Sequence, residues 1–109
     1  MNAILATAEN STQVTGSGYM PIGACGPYFA AGIGGVSNRH RRDGTFIGCY
    51  ARVRSNTLAT TCEVYINNAG IESLPGIAIT AGATGEFEDA SSELEVAHDS
   101  LSAWRIIVN

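Results

Sequence analysis

The sequence contains no lysine, so all six of its positive charges are arginine guanidinium groups, which pair bidentately with carboxylates at protein contacts. The same absence removes the residue that completes a phosphate loop. Gly32-Ile33-Gly34-Gly35 has neither the full dinucleotide spacing nor a helix pattern after it, so both nucleotide-binding motifs are excluded. Cysteine is scarce and odd in number. Cys25, Cys49 and Cys62 form no CxxC and no Cys/His pair that could build a zinc site, which predicts free, buried thiols. Long apolar runs are also missing. Met1–Ala8 lacks the basic start of a signal peptide and is too short and too polar for a membrane span, which predicts synthesis and folding in a cytoplasm.

What is present is glycine, serine and threonine in a chain that is nevertheless 45% hydrophobic, a composition for turns and strands around one core. At 109 residues a single domain is expected, burying roughly 60–70% of the surface its unfolded chain exposes. Charge is divided along the chain. Residues 1–55 carry five Arg against Glu9 and Asp43 (+3), and residues 56–109 carry Arg105 against eight acids (−7), which sum to the net −4. An acidic balance argues against nucleic acid as a partner.

Period-two alternation is the dominant signal from Thr45 onward. Ile47, Cys49, Ala51 and Val53 alternate with Gly48, Tyr50, Arg52 and Arg54, and Cys62, Val64 and Ile66 alternate with Glu63, Tyr65 and Asn67, so two half-buried strands are predicted. Ser55–Thr60 between them reads as a turn joining an antiparallel pair. If that turn centres near Thr57, Cys49 falls opposite Ile66 rather than Cys62, and no cross-strand disulfide is favoured. Ile77 and Ile79 precede a Gly82–Gly85 turn, Leu94 and Val96 follow, and all of these are predicted to face inward with Ile47, Cys49, Val53, Val64 and Ile66. In the last strand, Leu101–Val108, Trp104, Ile106 and Val108 share one parity while Ala103, Arg105 and Ile107 share the other. Both faces look covered, so Trp104, Ile106 and Val108 are candidate interface residues. Residues 19–36 mix aromatics with Gly and Pro, as irregular strands and loops do. Residues 1–18 are small and weakly patterned and read as a flexible N-terminal arm ahead of a 19–109 domain. With no amphipathic helix, the expected fold is all-β, an antiparallel β-sandwich.

Patterns that carry chemistry are few. His98-Asp99-Ser100 has the letters of a hydrolytic triad, but strand neighbours point to opposite faces and cannot converge, so a polar turn is expected. Glu86, Glu88, Asp89, Glu93, Glu95 and Asp99 lack calcium-loop spacing and read as an acidic face, with no metal and no cofactor expected. Arg39-His40-Arg41-Arg42 concentrates charge on one loop. It reads either as a solvated loop or as a contact, with Arg39, Arg41 and Arg42 as candidate interface residues meeting acids on a second copy or a partner. Trp104, Tyr19, Tyr28, Tyr50 and Tyr65 could stack on sugars, or serve as core and interface residues.

The run Gly44-Thr45-Phe46-Ile47, Ala51–Leu58, Val64–Ala69, Ile77–Asp89 and Leu94–Leu101 resembles a jelly-roll module of tailed-phage virions, over about the last two thirds of the chain. The Ala81-Gly82-Ala83-Thr84-Gly85-Glu86-Phe87-Glu88-Asp89 stretch carries the likeness best. Asn68-Ala69 stands where such modules tend to have Asn-Gly, and His98-Asp99 where they have Gly-Asp. The resemblance implies a jelly-roll-like sandwich and a non-enzymatic virion structural protein. That protein would be a capsid decoration or cement protein on the capsid surface, acting as a homo-oligomer, most often a trimer, with the major capsid protein as partner and no membrane. A tail or fibre module binding a receptor or carbohydrate, and a self-assembling fibre subunit, remain the alternatives.

Overall fold

A computed structural model describes residues 3–6, 16–23, 30–31, 36–69 and 71–109. Among these the chain is all-β. The strands in order are β1 (Ala3–Ala6), β2 (Gly18–Met20), β3 (Asn38–Arg39), β4 (Gly44–Val53), β5 (Cys62–Asn68), β6 (Ile71–Ile79), β7 (Gly85–Asp89), β8 (Leu94–Val96) and β9 (Leu101–Val108). They form two packed sheets. In one, β4 is flanked by β1 on one edge and by β7 and β8, end to end, on the other; the second runs β2-β9-β5-β6, with β3 also on β9. All pairings are antiparallel except β1 with β4. The last strand thus lies between β2 and β5, a non-local pairing within a β-sandwich.

The expected arm contributes a strand to the sandwich. Ala3 and Ile4 pair with Thr45 and Phe46, and Ile4 packs against the core, which the weak patterning of this segment did not foretell. Residues 7–15 of the expected arm lie outside the described residues.

The core runs between the sheets. Phe46, Cys49 and Val96 from the β4 sheet meet Met20, Cys62, Ile66, Ile77, Ile79, Trp104 and Ile106 from the β9 sheet, all buried. Val53, Val64 and Leu94 are partly buried against this cluster. Ile47 is the exception to the inward set. Phe46 is fully buried and Ile47 faces the other way. A β-bulge causes this: Ile4 and Ala6, two apart on β1, partner Phe46 and Cys49, three apart on β4. The extra residue reverses the parity of everything before it. Gly48 absorbs the irregularity at φ 142°.

β4 and β5 do not form the expected hairpin. They belong to different sheets, and β5 pairs with β6 and β9. The connection between them crosses the sandwich and is pinned by Asn56. Its Nδ2 donates to the carbonyls of Thr80 (3.3 Å) and Ala83 (3.0 Å), and its Oδ1 accepts from the Leu58 N–H (3.0 Å). The Leu58 side chain packs on the core, so the segment is held as a bridge rather than as a tight turn. Cys49 and Cys62, now on opposing sheets, are both free and buried. Burial, with Asp89 nearby, pushes the Cys49 thiol up to about 11, so it stays a protonated core residue.

Ala69, in the turn after β5, sits at φ 55°, a conformation costing a non-glycine residue about 1–2 kcal/mol. Its side chain is exposed, so no packing is at stake. Ala69→Gly is therefore expected to stabilise the domain by about 1 kcal/mol, read as a higher midpoint in chemical denaturation with an unchanged slope.

Candidate functional site

The Arg39–Arg42 loop leaves β3 and enters β4 at one end of the sandwich, and its central histidine turns inward. The His40 N–H donates to the Ser100 carbonyl (2.9 Å) and its carbonyl accepts from the Asp99 N–H (2.8 Å). Its Nε2 lies 2.8 Å from the Ser102 hydroxyl, which also accepts from Asn68 Nδ2 at 2.7 Å. The imidazole edge meets the Phe46 ring at 5.7 Å. Because an amide nitrogen only donates, the arrangement satisfying all three groups has the Ser102 hydroxyl donating to a neutral His40. Desolvation holds His40 below its ordinary value, consistent with the neutral ring. Ser102 and His40 have the spacing of a nucleophile and its base, yet Ser102 is 0% exposed and no substrate can reach it. His40 is thus an anchor, neither the solvated nor the contacting residue its charged neighbours suggested.

That anchor leaves the arginines outside. Arg39 Nη1 donates to the Asp99 carbonyl at 3.0 Å. Arg41 and Arg42 are exposed and have no hydrogen bond or ion pair among the described residues. Beneath them lies the His98-Asp99-Ser100 turn. It is closed by the Ser100 N–H and hydroxyl donating to the Ala97 carbonyl (3.1 and 2.6 Å), with Asp99 at φ 70°. The three side chains do not form a relay. His98 Nδ1 lies 3.5 Å from Asp99 Oδ2, while the Ser100 hydroxyl bonds to backbone.

The acids separate into two groups. Glu86 and Glu88 are exposed on the outer face of the β4 sheet, opposite Arg52 and Tyr50. The Tyr50 phenol is pushed up by its hydrogen bond to Glu86. Glu93 and Glu95 are also exposed and, with Asp43, line a shallow depression along Gly44, Thr45, Val96 and Ala97. Asp89 leaves this set for a structural task. Its Oδ2 accepts from the Gly76 N–H (3.1 Å), joining β7 to β6 across the sheets, and its Oδ1 accepts from the N–H groups of Ser91 (3.1 Å) and Ser92 (3.2 Å). The Gly76 bond first, then those from Ser92 and Ser91, hold its carboxyl below the usual range. The Asp89-Ala90-Ser91-Ser92 spacing is an Asx-turn pattern, and it is the signal that marks this residue off from its acidic neighbours. No three His, Cys, Asp or Glu side chains converge on an ion-sized point among the described residues.

The terminal strand is covered from within the chain. Trp104 and Ile106 are 4% and 8% exposed in the core, and Val108 packs against it, so the first two have almost no surface left to present to a partner. The opposing β4 sheet supplies the cover on this face. On the other face of β9, one row crosses four strands: Tyr19 of β2 pairs with Arg105 of β9, which pairs with Tyr65 of β5, which pairs with Gly76 of β6. The Arg105 guanidinium stands 4.6 Å from the Tyr19 ring centroid. Tyr50 lies on the opposite sheet, 49% exposed, and Tyr28 lies outside the described residues.

Comparison with protein-family models, with curated proteins and with solved structures finds no match to this chain.

Proposed function

We propose that the chain is a non-enzymatic virion structural protein, a capsid decoration or cement protein of a tailed phage that binds and stabilises the head as a homo-oligomer, in keeping with the trimers common among similar modules. The observation that carries this reading is the separation of charge on the surface. The exposed Arg41 and Arg42, beside Arg39, occupy the loop at the start of β4, while Glu86 and Glu88 are exposed opposite Arg52 and Tyr50 toward the other end of that strand. Opposite charges displaced on one chain cannot neutralise one another within it, but they can meet between neighbouring copies or between a copy and a shell, and so set orientation and register. The likeness of residues 44–101 to virion jelly rolls supplies the setting, and the sandwich supplies a rigid carrier for both patches.

The test begins with the mass of the purified protein and its mixing with expanded, undecorated capsids. A discrete oligomer that coats capsids is expected. Changing Arg39, Arg41 and Arg42 together to Ser should slow association by about an order of magnitude at low ionic strength and leave the subunit folded, since exposed pairs contribute little to stability. The difference should fade as salt screens the charges. Assembly indifferent to both salt and the triple change would return the loop to solvent. Polymerisation without any shell would favour a fibre subunit instead.

A further inference from the structure

We infer that His40 is an acid-operated latch: as a neutral ring it closes the Arg39–Arg42 loop onto the end of the sandwich, and its protonation releases the loop. The loop is the one assigned above to the charged contact. The latch rests on that reading only for its consequence, because it acts within a single subunit.

The latch follows from the direction of a chain of hydrogen bonds. The Ser100 hydroxyl donates to the Ala97 carbonyl at 2.6 Å, which leaves its oxygen as an acceptor. That fixes the Asn68 amide, whose Nδ2 donates to the Ser100 oxygen at 3.2 Å and to the Ser102 oxygen at 2.7 Å. The Ser102 hydroxyl hydrogen then has one acceptor among the described residues, His40 Nε2 at 2.8 Å. A neutral imidazole has one bare nitrogen, so a chain that begins at a backbone carbonyl ends by requiring Nε2 to be bare and Nδ1 to carry the proton. An imidazolium reverses the last link. Its Nε2–H would compete with the Ser102 hydroxyl for the same short gap, and the hydroxyl hydrogen would be left without an acceptor on a residue that is 0% exposed. A buried donor stripped of its partner bears its full desolvation penalty.

The surroundings offer the imidazolium no compensation. Phe46 of β4, Asn68 of β5 and Ser102 of β9, which hold the ring, are all uncharged. In the loop itself Arg39, Arg41 and Arg42 oppose a further positive charge. The two nearby carboxylates are used by His98: Asp43 Oδ1 accepts from its N–H at 2.7 Å, and Asp99 Oδ2 lies 3.5 Å from its Nδ1. Desolvation acts in the same direction and holds His40 below its ordinary value. A histidine so held contributes to closure above the open-state value of about 6.5, and the contribution is lost as pH falls from there toward the lowered closed-state value. Once the ring leaves its seat, the loop keeps only the backbone pair between His40 and residues 99–100 and the Arg39 bond to the Asp99 carbonyl, all at an exposed turn. Acid thereby frees the three arginines together.

The test follows the full-length protein by NMR between about pH 7.5 and about pH 5.5. The His40 ring is expected to titrate below about 6.5 and, while neutral, to carry its proton on Nδ1. Amide exchange at His40 and Asp99, corrected for its intrinsic pH dependence, should quicken about tenfold over that range, and should stay faster than exchange at Val64 in the central strand β5, so that the loop opens and not the domain. In His40→Gln, whose side-chain oxygen can still accept from Ser102, the acceleration should vanish; in His98→Gln it should persist. Ser102→Ala removes the hydroxyl hydrogen and should move the His40 midpoint upward. A neutral ring protonated on Nε2, a midpoint at or above about 6.5, or the same acceleration in His40→Gln overturns the latch. Should His40→Gln fold poorly, the ring's midpoint and tautomer in the parent decide alone. A loop that opens on this schedule while assembly ignores the triple arginine change keeps the latch and removes the charged contact.

Discussion

Truncation of Phe46 to alanine is expected to remove about 3–5 kcal/mol of folding stability, whereas truncation of its neighbour Ile47 should cost about 1 kcal/mol or less. The two residues are adjacent, both large and apolar, and indistinguishable by composition. What separates them is the face each occupies. Phe46 is fully buried and sits at the centre of the sandwich, paired with Ile4 on one side and Leu94 on the other and touched by the edge of the His40 ring. Removing its ring leaves a cavity bounded by both sheets and by the polar group that anchors the arginine loop, which little can collapse to fill. Ile47 lies on the outer face of the β4 sheet, outside the core cluster. Paired denaturant titrations of the two variants measure the difference directly. Equal losses would mean that the strand runs without its bulge and that the parity read from alternation alone was correct.

That comparison shows where alternation is informative and where it fails. Cys62, Ile66, Ile77, Ile79 and Val96 are buried as their parity predicts, because each lies in a stretch of its strand without insertion. Phe46 and Ile47 exchange faces because a bulge adds one residue, and a bulge leaves no mark on hydrophobic pattern beyond the glycine itself. Strand pairing was less legible than strand position. Ser55–Thr60 looks like a hairpin turn, and only the three hydrogen bonds of Asn56 to residues 58, 80 and 83 make it a crossover. Two of those partners are more than twenty positions away, which no local pattern encodes. The same applies at the loop of arginines. Its charge was evident from the sequence, but the anchoring of His40 depends on Ser102 and Asn68, brought together by β5 and β9. The Tyr19–Arg105–Tyr65 row was invisible for a similar reason: three scattered residues become neighbours only through two registers.

Replacement of Gly48 by alanine should be among the most damaging substitutions open to this chain despite adding a single carbon. The residue's φ of 142° lies in a region nearly closed to residues with a side chain, worth about 1–3 kcal/mol in strain. Space compounds the conformational problem. The added Cβ would stand 2.6 Å from the Asp89 carbonyl oxygen and 3.4 Å from the Ala90 Cα, both backbone atoms that cannot rotate aside. Gly48 sits where β4 changes partner, from β8 up to Phe46 to β7 from Cys49 onward, so the chain of 89–90 must pass close above it. Pushing Asp89 outward would also draw its carboxylate away from the Gly76 N–H, loosening the link between the two sheets. Gly82→Ala is the control. Its φ of 72° is strained too, but nothing lies within 4 Å of the added carbon, and a loss of about 1 kcal/mol is expected. A second readout ties the damage to Asp89. A carboxyl held below its ordinary value in the folded state contributes stability that is present above the unfolded value, about 4 for Asp, and is lost as pH falls through the lowered folded value. If Gly48→Ala weakens the bonds to Asp89, the variant has less of that contribution to lose, and its stability deficit relative to the parent should narrow as pH drops below about 4. A deficit for Gly48→Ala no larger than that of Gly82→Ala would mean that the bulge can relax and that the 89–90 backbone is not held against it.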